Sequence, residues 1–90
     1  MNEVFEALAH PVRREILKLL RKRAMSAGEL AEHFTIAKPT LSGHFTVLKN
    51  ADLVTTERQG TTIIYRLNMS VMEEALAAFM ALAGSKGKDQ

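Results

Sequence analysis

Between Ser26 and Asn50 the sequence "SAGELAEHFTIAKPTLSGHFTVLKN" holds two helical patterns with only a few residues between them. Ser26 followed three residues later by Glu29 is a capping-box signal, and it introduces "LAEHF", a short helix with Leu30 and Phe34 inward and Ala31 beside them. "TIAK" is a tight turn. The next stretch, Lys38 to Asn50, repeats Leu41, Phe45 and Leu48 at helical spacing. So brief a connection forces two helices to be close neighbours, and the lengths and pattern are those of a helix-turn-helix unit.

The flanking segments build around this unit. "NEVFEALA" places Val4, Phe5 and Leu8 on one face of a short helix. His10-Pro11 interrupts it, because the residue before proline avoids helical geometry, and Pro11 suits the first position of a second helix. That helix, "PVRREILKLLRKR", turns Val12, Ile16, Leu19 and Leu20 inward, and Leu17 broadens the face. Its basic end, Arg21 to Arg23, complements the helix dipole or supports a phosphate contact. After Asp52 the period becomes strand-like: Leu53–Glu57 and Thr62–Leu67 read as two arms joined by Arg58-Gln59-Gly60-Thr61. Gly60 offers the positive φ that hairpin turns need. In "SVMEEALAAFMALAG" a second capping box, Ser70 and Glu73, opens a last helix that is apolar nearly all round. The chain therefore reads as one domain over residues 1–83 with a disordered tail at 84–90, and as mainly α with a small β-hairpin, an α+β class.

Composition narrows the chemistry. The absence of cysteine excludes disulfides, thiolate metal ligands and thiol redox switching, and three scattered histidines make a poor structural zinc site. No nucleophile, base and orienting group cluster in the sequence, and no glycine loop cradles phosphate, so an enzyme is not expected. No apolar run approaches the ~18 residues of a membrane span, and no signal-peptide pattern opens the chain, so a soluble cytoplasmic protein is expected. A net charge of +2 permits a polyanionic partner provided the basic residues cluster.

The helix from Lys38 to Asn50 carries the sharpest signal. At ~100° per residue, Leu41, Phe45 and Leu48 fall within about 60° of one another, and Gly43 lies nearly opposite their centre. Pro39, Ser42 and Thr46 surround Gly43, with Lys38 and Thr40 toward the N-terminal end. A face needing only solubility would carry Lys, Glu or Gln. Small hydroxyl-bearing residues instead suit close insertion into a major groove, where hydroxyls meet base edges and a threonine methyl meets thymine. Lys38, Thr40, Ser42 and Thr46 are thus candidate base-edge or near-backbone contacts, and Arg58 at the hairpin tip, beside Gln59, is a candidate minor-groove or phosphate contact. Helix–helix packing is the alternative use of the small face. Arg66 is open between a phosphate contact and a salt bridge, and His33 sits on a solvated face.

Several stretches resemble the ArsR/SmtB family of bacterial repressors. "FEALAHPVRREILKLL" is similar to that family's opening, "AKPTLSGHFTVLKNADLV" to its helix-turn-helix and exit, and "RQGTTIIYRL" to its wing, over roughly residues 4 to 68. The resemblance implies a winged helix-turn-helix in the order helix, helix, helix-turn-helix, hairpin, helix, acting as a dimeric repressor of double-stranded DNA on an inverted-repeat operator. It implies a homodimer through the first and last helices, which gives a use to Val4, Phe5 and Leu8 and to Met72, Leu76, Phe79 and Met80. The alternative is that the last helix only caps its own core. It further implies DNA contacts at Lys38, Thr40, Ser42 and Gly43, and a histidine at His44. That ring lies at the edge of the buried stripe, which favours a hydrogen bond to backbone or phosphate over base reading.

This chain also departs from the family pattern. Gly43 replaces a long polar side chain, so no side-chain contact carries over there. Thr61 and Thr62 replace basic wing residues, implying a weaker grip. His10 replaces the usual Asp as cap of the second helix, a loss of roughly 1 kcal/mol. Arg13 matches a family arginine and reads as structural, tying the second helix to a neighbour. Where metal sensors of the family carry a Cys pair this chain reads Ser26-Ala27-Gly28, and its last helix offers Glu73 and Glu74 without histidine. No cofactor and no metal or thiol sensing is therefore expected, leaving a plain repressor or autorepressor, or release by a regulatory protein or small-molecule inducer. A protein-interaction module is the competing class.

Overall fold

The computed structural model describes residues 1–84; most of the expected tail lies outside the described residues. Five helices and three strands follow in the order α1 (Asn2–Leu8), α2 (Pro11–Lys22), β1 (Met25–Ser26), α3 (Ala27–Ala31), α4 (Lys38–Asn50), β2 (Val54–Gln59), β3 (Thr62–Leu67) and α5 (Met69–Leu82). The strands form an antiparallel sheet in the order β1-β3-β2. This is a winged helix, mostly helical with a small hairpin, as expected.

The core gathers one residue from each structural layer. Ile16 of α2, Leu30 of α3, Leu48 of α4 and Leu53 at the start of the hairpin are almost wholly buried, each contributing about 1.5–3 kcal/mol by leaving water. Phe45 stacks obliquely on Tyr65 at 5.0 Å between ring centroids, joining α4 to β3. Burial raises the pKa of the Tyr65 hydroxyl.

The helix ends show why the chain turns where it does. Pro11 starts α2, and His10 Nδ1 accepts from the Val12 N–H at 3.1 Å. An imidazole thus takes over the capping task expected to be weakened by the missing carboxylate. The α1 end is closed from α2: Arg13 Nε and Nη2 donate to the carbonyls of Ala7 (2.8 Å) and Glu6 (3.1 Å), and Arg14 Nη1 donates to Leu8 (2.8 Å). These bonds satisfy carbonyls that a helix C-terminus leaves orphaned.

The first capping box is present in full. Glu29 N–H donates to Ser26 Oγ at 3.1 Å, and Ser26 N–H to Glu29 Oε1 at 2.9 Å. The second is not. α5 begins at Met69 with Asn68 as its cap, so Ser70 lies inside the first turn. Asn68 prevails because its amide works in two directions: Oδ1 accepts from Val71 N–H at 3.4 Å while Nδ2 donates to the Asp52 carbonyl at 2.9 Å. At the end of α4, Leu53 N–H reaches the Leu48 carbonyl (3.0 Å) and Asp52 N–H the Lys49 carbonyl (2.9 Å). With Asp52 at φ 61°, this is a Schellman stop in which Leu53 packs back toward Leu48.

Other boundaries shift from the sequence expectation. α3 ends at Ala31, so Phe34 reaches the core from the turn rather than from the helix. The first hairpin arm runs on to Gln59 while the second begins at Thr62 as expected, leaving a two-residue loop, Gly60-Thr61, and Arg58 becomes a strand residue opposite Ile63. Gly60 has φ 65° and Thr61 has no positive φ, the pattern of a type II′ turn with glycine first.

Candidate nucleic-acid interface

The short turn after α3 and the Schellman stop together fix α4 with its apolar side inward. Leu41, Phe45 and Leu48 are buried, whereas Lys38, Pro39, Thr40, Ser42, Gly43 and Thr46 are exposed. A Cβ built on Gly43 meets nothing within 4 Å, so no contact within this chain requires glycine there. Among the described residues, no hydrogen bond or ion pair occupies the side chains of Lys38, Thr40 or Ser42. Thr46 differs: its hydroxyl donates to the Ser42 carbonyl at 3.1 Å. That bond commits its hydrogen and leaves the oxygen as acceptor and the methyl as an apolar contact.

The start of α4 adds a feature that the sequence reading missed. The N-cap is Ala37, which makes no side-chain capping bond. The first-turn N–H groups therefore lack the intrachain acceptor that Ser or Asp would supply, and a helix start of this kind attracts phosphate oxygen. The signal in the sequence was the absence of a capping residue before Lys38-Pro39.

In the wing, period-two alternation sorts the polar residues. Arg58 shares a face with Ile63 and Tyr65, the face that packs on α4 through Phe45. Gln59 stands on the other face with Glu57 and Arg66. Arg66 Nη2 donates to Glu57 Oε1 at 3.1 Å across the hairpin. Of its two open readings, the structure has the salt bridge, and both partners are about half exposed.

His44 is the one reading-helix candidate that faces inward. It is buried at 9% exposure, and its Nδ1 accepts from Arg13 Nη1 at 3.1 Å. Its ring lies 4.4 Å from that of His10. Burial lowers the pKa of His44, and the charges of His10 and Arg13 lower it further. Its intrachain hydrogen bond does not go to backbone. The partner is a side chain, and the same arginine fulfils the structural role read for Arg13.

The first and last helices form a second surface. Phe5, Leu8, Ala9, Met72, Ala75, Leu76, Phe79 and Leu82 line an apolar groove of about 470 Å³. Leu76 and Phe79 are 61% and 62% exposed. Val4, grouped with this face in the sequence, belongs instead to the chain's own core at 6% exposure, because α1 rolls Val4 and Ala7 inward and leaves Phe5 and Leu8 toward the groove. Among the described residues no three His, Cys, Asp or Glu side chains assemble as a metal site, and no helix is long and apolar enough to cross a membrane.

A bare helix face beside an arginine-bearing hairpin, on this frame, defines a class: a winged helix-turn-helix DNA-binding protein. Residues 8–57 match the helix-turn-helix domain family. The chain is 45% identical over 76 residues to the transcriptional repressor SdpR of Bacillus subtilis, covering 84% of each chain. It is 37% identical over 73 residues to the arsenical resistance operon repressor of Staphylococcus xylosus, covering 81% of this chain and 70% of that one. An ArsR-like transcriptional regulator from Rhodococcus superposes with a TM-score of 0.80 at 27% identity, over 94% of this chain and 79% of its own. The transcriptional repressor BigR from Xylella fastidiosa superposes with a TM-score of 0.71 at 31% identity, over 90% and 83%. The chain belongs to the ArsR/SmtB family of winged helix-turn-helix transcriptional regulators, and it is not an enzyme.

Proposed function

We propose that the protein is a homodimeric repressor that binds an inverted-repeat operator, inserting α4 into successive major grooves and resting the wing beside Arg58 on the backbone or minor groove. The observation that carries this reading is the exposed face of α4, where Lys38, Thr40 and Ser42 project around an open Gly43. Dimerisation covers the apolar groove between α1 and α5: Leu76, Phe79 and Leu82 are too exposed to serve a monomer. Two reading helices then meet the duplex about 34 Å apart. Repression is independent of metals and thiols, since Ser26 is committed to the α3 cap and the chain has no cysteine. Any release comes from a regulatory protein or small molecule.

Selection of bound duplexes from genomic DNA, followed by footprinting over a salt series, tests this. A two-fold symmetric footprint is expected, with affinity falling steeply as salt rises because bound phosphates release counterions. Stoichiometric Zn²⁺ should leave affinity unchanged. An asymmetric footprint, a salt-insensitive complex or a tenfold loss with Zn²⁺ would each contradict the corresponding part. Salt-insensitive docking would point to a protein-interaction module instead.

A further inference from the structure

His44 lies on the inner edge of α4, and both its polar neighbours come from the corner between α1 and α2. A guanidinium has only donors, so the 3.1 Å contact from Arg13 Nη1 requires a lone pair on His44 Nδ1. His10 Nδ1 likewise accepts, from the Val12 N–H at 3.1 Å. Each ring therefore keeps its contact only as a neutral imidazole with its hydrogen on Nε2. Arg13 meanwhile holds the Ala7 and Glu6 carbonyls through Nε and Nη2. A single guanidinium thus joins the last turn of α1 to the reading helix.

The surroundings give a second proton on His44 no welcome. Of the elements packed on α4, α2 and its corner contribute Arg13 and His10, both cationic or able to become so. The charged side chains of α1, Glu3 and Glu6, are exposed, and only the Glu6 backbone carbonyl enters the cluster, through Arg13. In β2, Arg58 is exposed and Glu57 is paired with Arg66. No carboxylate acts on the His44 ring to offset an added charge. Protonation at Nδ1 would set an N–H against an arginine N–H and place positive charges side by side, and the contact must then open.

We propose that His44 is a positioning residue of the DNA reader: with Arg13 and His10 it forms a clasp that seats α4 against α1 while the His44 ring is neutral, so that acid releases the helix and weakens operator binding. The proposal rests on α4 being the reading helix. Its sign is unusual. A protein whose histidines simply gain charge binds DNA more tightly as pH falls, because phosphates attract the new cations. Here the binding-competent fraction shrinks instead, by about tenfold for each pH unit below the ring's titration.

The test is fluorescence anisotropy with a labelled duplex selected from a random-sequence pool at pH 7.5. It is run from pH 7.5 to pH 5 at constant ionic strength, with far-UV circular dichroism at each pH. The wild type is expected to weaken by about tenfold or more across this range while its spectrum stays native. His44→Gln keeps an acceptor for Arg13 but does not titrate, so its ratio of affinities between the two ends should be flat or reversed. His10→Asn, whose side chain still caps α2, should show an intermediate profile and stands as the second variant should His44→Gln fail to fold. His33 is exposed and common to all three proteins, so it cannot account for a difference between them. Parallel profiles in wild type and variants, or wild-type affinity that rises with acid, would overturn the clasp. So would unfolding that precedes any loss of affinity, since the cluster would then be a stability element alone. Failure to bind any duplex at pH 7.5 would overturn the DNA reading itself and the clasp with it.

Discussion

Gly43→Ala separates the two reasons a glycine can stand in a helix. If glycine is kept for close approach by a neighbour within the chain, alanine must clash. The space around a Cβ at this position is empty to 4 Å, and the residue lies well inside the thirteen-residue α4. Only the intrinsic difference between the two residues then remains, about 0.8–1.0 kcal/mol in favour of alanine. For a domain of this size that amounts to a rise in Tm of roughly 4–8 °C. Urea titration followed by circular dichroism, at fixed protomer concentration because an associating protein gains stability by mass action, measures it directly. Gly43→Arg should be nearly as stable, because arginine is close to alanine in helix propensity. It should also bind non-operator DNA more tightly, with a salt slope steeper by about 1 from the added phosphate contact. If Gly43→Ala destabilises the free protein, the inference that this face is open is wrong. If both variants leave operator choice untouched, the face is not the reader.

Three further outcomes follow from the geometry. Asn68→Ala removes the α5 cap and the bond to the Asp52 carbonyl and should cost about 1–2 kcal/mol in urea, whereas Asn68→Asp keeps the capping oxygen and should recover part of that loss. Asp52→Gly relieves a non-glycine residue held at φ 61° and should raise stability by about 0.5–1 kcal/mol; a fall would mean that the Asp52 side chain makes a contact worth more than the backbone relief. The burial-lowered pKa of His44 means that the unfolded chain takes up that proton first. Its stabilising contribution is therefore complete above the ordinary imidazole value near ~6.5 and is lost as pH falls from there through the folded-state value. Thermal melts between pH 8 and pH 5 should show this slope, and His44→Gln should flatten it.

The elements legible in the sequence are those whose cause is local. Pro11 after a capping residue, the Ser26–Glu29 box and the spacing of Leu41, Phe45 and Leu48 each specify geometry over a single turn or two, and α2, the start of α3 and the whole of α4 follow from them. The outward face of α4 was legible for the same reason, because helical rotation alone assigns Gly43 and its neighbours to the side opposite the core.

What escaped was decided by partners distant in sequence. β1 is two residues long and exists only because Met25 and Ser26 meet Tyr65 and Ile64; no period can be read from two residues. Ser70 and Asn68 are equally good caps by residue type, and the Asp52 carbonyl sixteen residues away chose between them. Arg66 and Glu57 found each other only once the hairpin register set them on one face. His44 looked like an edge residue by rotation, and the corner carrying His10 and Arg13 turned that edge into an interior. The helix-turn-helix, the wing and the bare outward face of α4 follow from the sequence alone, because backbone periodicity and caps act within a few residues. Which polar side chains stay unengaged on the surface and which are already paired was settled only by the tertiary fold, because that depends on what it brings opposite them.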